Sequence, residues 1–353
     1  MDSPEIRIDQ LTGSRVLVTP ARSDRPDDFA GRPWKPGDGD GGGDGENCPF
    51  CEGAESATPP EVDADRPDGS APNGPGWTTR SFPNLYPALV PEAGMKAEAG
   101  AQSAFAASGD PLLASSRGSE PDLFLARPAT GHHEVVVNSP DHMASITELD
   151  PEGLAVAVEA WRRRMRAHPD AAYIQLILNQ GPDSGASLEH SHAQLGAAPF
   201  VPAAIARERE RFTSYRERTA GASLLEDVLR EEIRRGERLV AIDDEVALIC
   251  PWASRWPYEM RLIPRKASAR FEEDEVGSAM LHRALGALVE VFGDNPQLNL
   301  WVKTAPRGVE HFHWHLDLAP RLEPASSFEM ATGVEVNVVP PEVAASELRE
   351  AIA

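Results

Sequence analysis

Residues 185–194 read Gly-Ala-Ser-Leu-Glu-His-Ser-His-Ala-Gln. Side chains two apart on a strand point the same way. With HSHAQLG as a strand, His190, His192 and Gln194 therefore share a face. Neutral imidazole exists at neutral pH and attacks phosphorus without a separate activating base. An amide at the next same-face position can donate to a phosphoryl oxygen. The preceding turn offers the backbone N–H groups of Gly185, Ala186 and Ser187 and one hydroxyl, a cradle for a phosphate. The plainer reading is two histidines packed on a half-buried strand. The glutamine, the Gly-Ala-Ser turn and a second His-x-His further on favour chemistry over packing.

Moving outward, LAVAVEAWRRRMRAH (154–168) reads as an amphipathic helix, basic towards its C-terminal end as the helix dipole favours. AYIQLILN (172–179) reads as a strand, followed by the turn QGPDSGAS. The second half repeats this order: a strand at YEMRLIP (258–264), a helix over 274–293, a strand at LNLWVK (298–303), then a turn with Pro306 and Gly308 into HFHWHLDLAPR. The offset of roughly 120 residues suits a duplicated domain rather than a solenoid. The expected fold is α+β, two units each with an antiparallel sheet flanked by helix, over residues 1–198 and 199–353. SRVLVT (14–19) and EVVVN (134–138) add strands, and 203–219 and 223–236 read as charged helices. Residues 37–47, 53–76 and 92–120, rich in Gly, Pro, Asp, Ala or Ser, read as mobile loops around an extended segment, WTTRSFPNLYPAL.

The chain has 353 residues, 41% of them hydrophobic, enough for a substantial core. No apolar run nears the roughly 20 residues of a membrane span, and the acidic start MDSPEIRIDQL has no apolar signal segment. These features predict a cytoplasmic protein with no membrane partner. The formal charge of -22 argues against nucleic-acid binding, which needs a basic footprint. An anionic small ligand would need local arginines and backbone N–H groups. Three cysteines make no disulfide framework. Cys48-Pro-Phe-Cys51 has the spacing of a metal-ligand or redox pair, and Cys250 after VALI reads as core.

The pattern N-x-G-x-x-x-G-A-S-x-x-H-x-H-x-Q, Asn179 to Gln194, resembles the active-site signature of the galactose-1-phosphate uridylyltransferases, a family of the histidine triad superfamily. LTGSRVLVTPARSDRP, CPFC, FPNLYPAL, HEVVVNSPDH, HFHWHLDLAPR and SFEMATGVEVN extend the likeness along most of the chain. The resemblance implies a duplicated triad-like fold, a homodimer and a ping-pong reaction. A histidine, here His192, attacks the α-phosphorus of UDP-glucose and releases glucose 1-phosphate. The uridylyl group then passes to galactose 1-phosphate, so the partners are a UDP-sugar and a sugar 1-phosphate. Gln194 corresponds to the glutamine that hydrogen-bonds the transferring phosphoryl group. Asn179, Gly185 and Ser187 match nucleotide or phosphate contacts, with Ala186 where some members carry Cys. Arg22 and Arg25 match positions near the nucleotide phosphates, and Asn84 matches a nucleoside contact. Phe328 and Glu329 match a sugar-contacting pair often supplied across the dimer. The basic residue expected shortly before them is absent; position 323 is Glu.

The resemblance also completes a metal set. Cys48 and Cys51 need two further ligands for tetrahedral zinc, and His142 and His190 supply them. Zinc on His190 would lock the strand beside His192. A second metal in some relatives sits on a glutamate and three histidines; Glu208, His313 and His315 match three of these, and Lys303 falls at the fourth. An ammonium is no ligand, so Lys303 is expected to pair with Glu208 in place of the metal. His311, His313 and His315 read as a buried polar cluster left by duplication, since no glutamine or Gly-Ala-Ser turn accompanies them.

Three functional readings follow. The first is hexose-1-phosphate uridylyl transfer. The second is a phosphorylase that passes the same nucleotidyl-histidine to inorganic phosphate, from ADP-glucose or a dinucleoside polyphosphate. The third is a non-catalytic nucleotide-binding protein, which would not need His192.

Overall fold

A computed structural model describes residues 5–18, 48–91, 129–322 and 326–352. Arg22, Arg25 and the stretches 37–47 and 92–120 lie outside the described residues.

Ten strands form one sheet. In chain order they are β3 (Asp63–Asp65), β4 (Thr79–Pro83), β5 (His132–Val137), β6 (Tyr173–Gln180), β7 (His192–Ala198), β8 (Leu239–Ile242), β9 (Val246–Ile249), β10 (Met260–Pro264), β11 (Leu298–Lys303) and β12 (His315–Pro320). Their spatial order is β3-β4-β5-β7-β6-β11-β12-β10-β9-β8, and every pairing is antiparallel. Read from either edge the order is the same with β3, β4, β5, β6 and β7 exchanged for β8, β9, β10, β11 and β12. The duplication seen in the sequence is therefore a pseudo-twofold in space. Its axis passes between β6 and β11, where Asn179 faces Asn299, its counterpart 120 residues on. A smaller sheet joins β1 (Glu5–Ile8), β2 (Arg15–Val18) and, in parallel with β2, β13 (Glu335–Asn337).

One face of the large sheet carries the main core. Helices α1 (Pro151–Arg166) and α4 (Ser278–Phe292), also related by the duplication, lie on it. On β7, Ala193, Leu195 and Ala197 point into this core, so His192 and Gln194 occupy the opposite face. α1 begins where Asp150 accepts from the Gly153 N–H at 2.7 Å and Pro151 occupies the first turn. Its C-terminal end turns Arg164 onto Glu134 of β5, with Nε and Nη2 at 2.8 and 2.9 Å from the two carboxylate oxygens. His168 Nε2 meets the same carboxylate at 2.8 Å. Helices α2 (Ala203–Arg218) and α3 (Leu224–Arg235) connect the halves; α5 (Ser327–Thr332) and α6 (Pro341–Ile352) close the chain. No helix among the described residues is long and apolar enough to cross a membrane.

Three local expectations change. Residues 53–76 are tied down rather than loose: Arg66 and Arg80 both bond Glu61, and the Trp77 indole donates to Glu55 at 2.8 Å. Composition concealed this because the anchors are single side chains in a glycine- and proline-rich stretch. The strand of the quoted motif begins at His192, and His190 precedes it. His311 is exposed, so only His313 and His315 form the buried pair in the second half.

Candidate active site

Cys48, Cys51, His142 and His190 bring their ligand atoms within 4.8 Å of one another. Cys48 Sγ lies 3.4 Å from His190 Nδ1, Cys51 Sγ 3.4 Å from His142 Nδ1, and Cys51 Sγ 3.6 Å from His190 Nδ1. Tetrahedral zinc with bonds of about 2.3 Å to sulfur and about 2.0 Å to nitrogen separates the two by roughly 3.5 Å. These residues therefore fit the ion. Burial, with Cys48 beside it, pushes the Cys51 thiol up to about 12, a penalty that a divalent cation between the sulfurs reverses. His190 donates from Nε2 to the Ser139 carbonyl at 2.9 Å, which turns Nδ1 into the cluster. The four residues come from the 48–51 segment, the turn after β5 and the run into β7. A bound ion would thus fasten three pieces of chain.

His192 stands at the start of β7, 6% exposed. Its Nδ1 donates to the His190 carbonyl at 2.7 Å. That bond fixes the tautomer: the proton is on Nδ1 and the lone pair is on Nε2. Burial lowers its pKa, against the bond to His190 O, so the ring is neutral at pH 7. The Phe50 ring, inside the Cys-Pro-Phe-Cys segment, meets the His192 ring edge-on at 5.1 Å between centroids. The metal segment thereby touches the proposed nucleophile through Phe50, a contact the sequence does not announce.

Gln194 lies two residues along the same face. Its Oε1 is 3.0 Å from His133 Nε2. On the neighbouring strand Asn179 Oδ1 accepts from Asn299 Nδ2 at 2.8 Å, and the same Nδ2 reaches Ser184 O at 2.9 Å. With Oδ1 occupied, the Asn179 amide nitrogen faces Gly185, whose ideal Cβ position is 4.0 Å from it. Asn299 escaped the sequence reading, although the repeat offset alone assigns it as the counterpart of Asn179. The turn is closed by Gly185 N–H to Pro182 O at 3.0 Å and Ala186 N–H to Gly181 O at 3.3 Å, with Gly185 at φ 87°. Those two N–H groups point into the turn. The Ser187 N–H has no protein acceptor among the described residues.

Asn84 follows β4 and lies beside Gln194's neighbour: its N–H donates to the His133 carbonyl at 2.8 Å, and its Oδ1 accepts from the Tyr86 N–H at 2.8 Å. Phe328 and Glu329 sit on α5, where Glu329 caps Ser326. Among the described residues no hydrogen bond, ion pair or ring contact joins them to His192, and Phe328 is 48% exposed.

The second half repeats the geometry with different partners. His313 Nε2 donates to Pro264 O at 2.8 Å as His190 does to Ser139, and His315 Nδ1 approaches His313 O at 3.2 Å as His192 does His190. The counterpart of Gln194 is Asp317, which is clamped by Arg261 at 2.6 Å and by the Trp301 indole at 3.0 Å. Lys303 Nζ lies 3.6 Å from Glu208 Oε2, the expected ion pair, and His315 Nε2 lies 3.3 Å from Glu208 Oε1. The nitrogen equivalent to His192 Nε2 is thus covered by a carboxylate.

Comparison with known proteins agrees with this layout. ADP-glucose phosphorylase of Arabidopsis thaliana is 30% identical over 363 residues, 99% of this chain and 93% of the relative. Galactose-1-phosphate uridylyltransferase of Kluyveromyces lactis is 27% identical over 75% of this chain and 66% of the relative. The crystal structure of the Arabidopsis ADP-glucose phosphorylase with bound ADP-glucose superposes with a TM-score of 0.75 at 27% identity, covering 99% of both chains. A uridylyltransferase structure, 23% identical with a TM-score of 0.68 over 99% of this chain and 98% of the other, shares the fold. The family model for the galactose-1-phosphate uridyl transferase N-terminal domain matches residues 1–202, and the chain belongs to that family.

Proposed function

We propose that the protein transfers a nucleotidyl group from a nucleoside diphosphate sugar through a covalent His192 intermediate. The observation that carries this is the 2.7 Å bond from His192 Nδ1 to the His190 carbonyl, which leaves Nε2 as a neutral nucleophile. Nε2 attacks the α-phosphorus, and the bond from that phosphorus to the bridging oxygen breaks. Glucose 1-phosphate leaves with the bond's electron pair. As the imidazole becomes cationic, its Nδ1 proton is already held by a carbonyl dipole. Gln194 donates to a phosphoryl oxygen, and Asn179 and Ser187 hold the phosphate end. Arg22, Arg25 and Asn84 serve the nucleotide. An acceptor oxygen then attacks phosphorus and the P–N bond breaks, restoring His192. Two inversions give net retention at phosphorus. Cys48, Cys51, His142 and His190 would hold a zinc ion, which would supply no reacting group but would fasten the chain around His192.

For the acceptor we favour inorganic phosphate and for the donor ADP-glucose, giving ADP and glucose 1-phosphate. Two observations support this reading: the similarity to ADP-glucose phosphorylase covers 99% of the chain, and position 323 is Glu, where the family resemblance leads one to expect a basic residue shortly before the Phe328–Glu329 pair. The second reading, UDP-glucose and galactose 1-phosphate, is supported by the family model over residues 1–202. In either case a second copy of the chain is a natural neighbour for α5, where Phe328 and Met330 are 48% and 72% exposed. Initial rates with ADP-glucose plus phosphate, and with UDP-glucose plus galactose 1-phosphate, test the choice. ADP formation in the first mixture and little turnover in the second is the expected result; the reverse pattern assigns the uridylyl reaction.

A further inference from the structure

We infer that His133 is a positioning residue for Gln194: it sets which end of the Gln194 amide faces the transferring phosphoryl group. The inference rests on the nucleotidyl-transfer reading above.

His133 lies on β5 directly opposite Gly196 of β7, and Gln194 pairs with Val135. His133 and Gln194 are therefore diagonal cross-strand neighbours on the face that carries His192. Opposite Gly196 no side chain blocks the imidazole, which leans towards Gln194. The hydrogen bonds then fix each proton in turn. The Ala88 backbone N–H, an unambiguous donor, lies 3.0 Å from His133 Nδ1. In the neutral ring Nδ1 is thus the acceptor and Nε2 carries the proton. Nε2 is 3.0 Å from Gln194 Oε1. Asn84 Nδ2, a donor because its own Oδ1 accepts from the Tyr86 N–H, lies farther away at 3.4 Å. The Nε2 proton therefore goes to Gln194, which accepts through its oxygen with its NH2 group turned to the other side. A glutamine amide flipped by half a turn would present an acceptor oxygen to a phosphoryl oxygen, two electron-rich atoms in contact. His133 excludes that orientation. Asn84 adds a backbone bond to the His133 carbonyl. The 84–88 segment therefore grips His133 at both its main chain and its ring.

Because His133 also anchors that segment, its substitution alone does not separate positioning from structural support. The separation comes from a double-mutant cycle read as the single-turnover rate of nucleotidylation at saturating ADP-glucose or UDP-glucose, whichever the wild type consumes. His133→Phe keeps the ring and removes both nitrogens; His133→Gln restores a donor near the position of Nε2–H. We expect His133→Phe to slow nucleotidylation about tenfold or more beside Gln194 and less than about twofold in the Gln194→Ala background. His133→Gln recovers most of the loss only while Gln194 is present. Equal losses in both backgrounds, or no loss with Gln194 intact, overturn the positioning role and leave the transfer reading standing. A wild type that forms no nucleotidyl adduct overturns both.

Discussion

His192 Nδ1 and the carbonyl of His190 are 2.7 Å apart, and the ring of that same His190 directs its Nδ1 into the Cys48, Cys51 and His142 cluster. One residue therefore joins the two parts of the candidate site: its main chain sets the tautomer of His192, the proposed nucleophile, while its side chain is one of the four candidate metal ligands. A shift of the metal segment moves the acceptor of the His192 proton.

That coupling predicts the consequence of losing the ion. One zinc per chain is expected by metal analysis, and Cys51→Ser is expected to remove it. The variant should lower Tm by a few degrees, about 1–2 °C for each kcal/mol in a chain of this size. It should also slow nucleotidylation while His192 is untouched. Unchanged rate and Tm in a zinc-free Cys51→Ser protein would show that the cluster does not support the nucleophile.

In the proposed reaction Gln194→Ala removes a donor aimed at developing charge. The expected cost is about 10²–10³ in turnover with donor affinity little changed, the pattern of an interaction made chiefly in the transition state. Equal losses in affinity and turnover would instead assign Gln194 to ground-state binding.

Asn299→Ala should resemble a weakened Asn179. Its Nδ2 is bonded both to Asn179 Oδ1 and to Ser184 O, so its loss frees the Asn179 amide and loosens the turn before Ser187. A fall of about tenfold in turnover over donor affinity is expected, and less than a further twofold in an Asn179→Ala background.

The candidate site was legible in the sequence where ligand spacing and strand alternation act locally. His-x-His-x-Gln implied one face, and the repeat implied two related units, each with its own antiparallel sheet; that the two sheets merge into one ten-stranded sheet across β6 and β11 was not implied. The resemblance, rather than spacing, joined Cys48 and Cys51 to His142 and His190, which are far apart in the chain. What stayed hidden was set by tertiary pairing. Asn299 meets Asn179 only because β6 and β11 adjoin at the axis. Phe50 reaches His192 only once the metal segment folds over β7. Strands β8 and β9 are short, four residues each; β9 was visible only as the apolar run VALI before Cys250, and β8 was not read from the sequence. The inward turn of the Gly185 and Ala186 N–H groups depends on backbone angles that composition does not encode.

Glu134 gives a pH prediction for stability. Burial opposes its charge, but bonds from His168 and Arg164 outweigh that, holding its carboxyl down at about 2 against an ordinary 4.5. The folded pKa lies below the unfolded one, so the stabilisation is complete above about pH 4.5 and is lost as pH falls towards 2. The interaction amounts to about 3 kcal/mol at neutral pH. Denaturant midpoints measured from pH 6 down to pH 3 should fall more steeply for the wild type than for Glu134→Gln. Parallel curves would remove Glu134 from the acid sensitivity.

The most direct measurement is intact-protein mass spectrometry of wild type and His192→Gly after incubation with ADP-glucose or UDP-glucose and no acceptor, followed by peptide mapping of any adduct. One nucleotidyl group per chain is predicted on His192, absent from His192→Gly and discharged on adding acceptor. A chain that turns over nucleotide sugar without an adduct, or carries the adduct on another residue, would contradict the covalent role of His192.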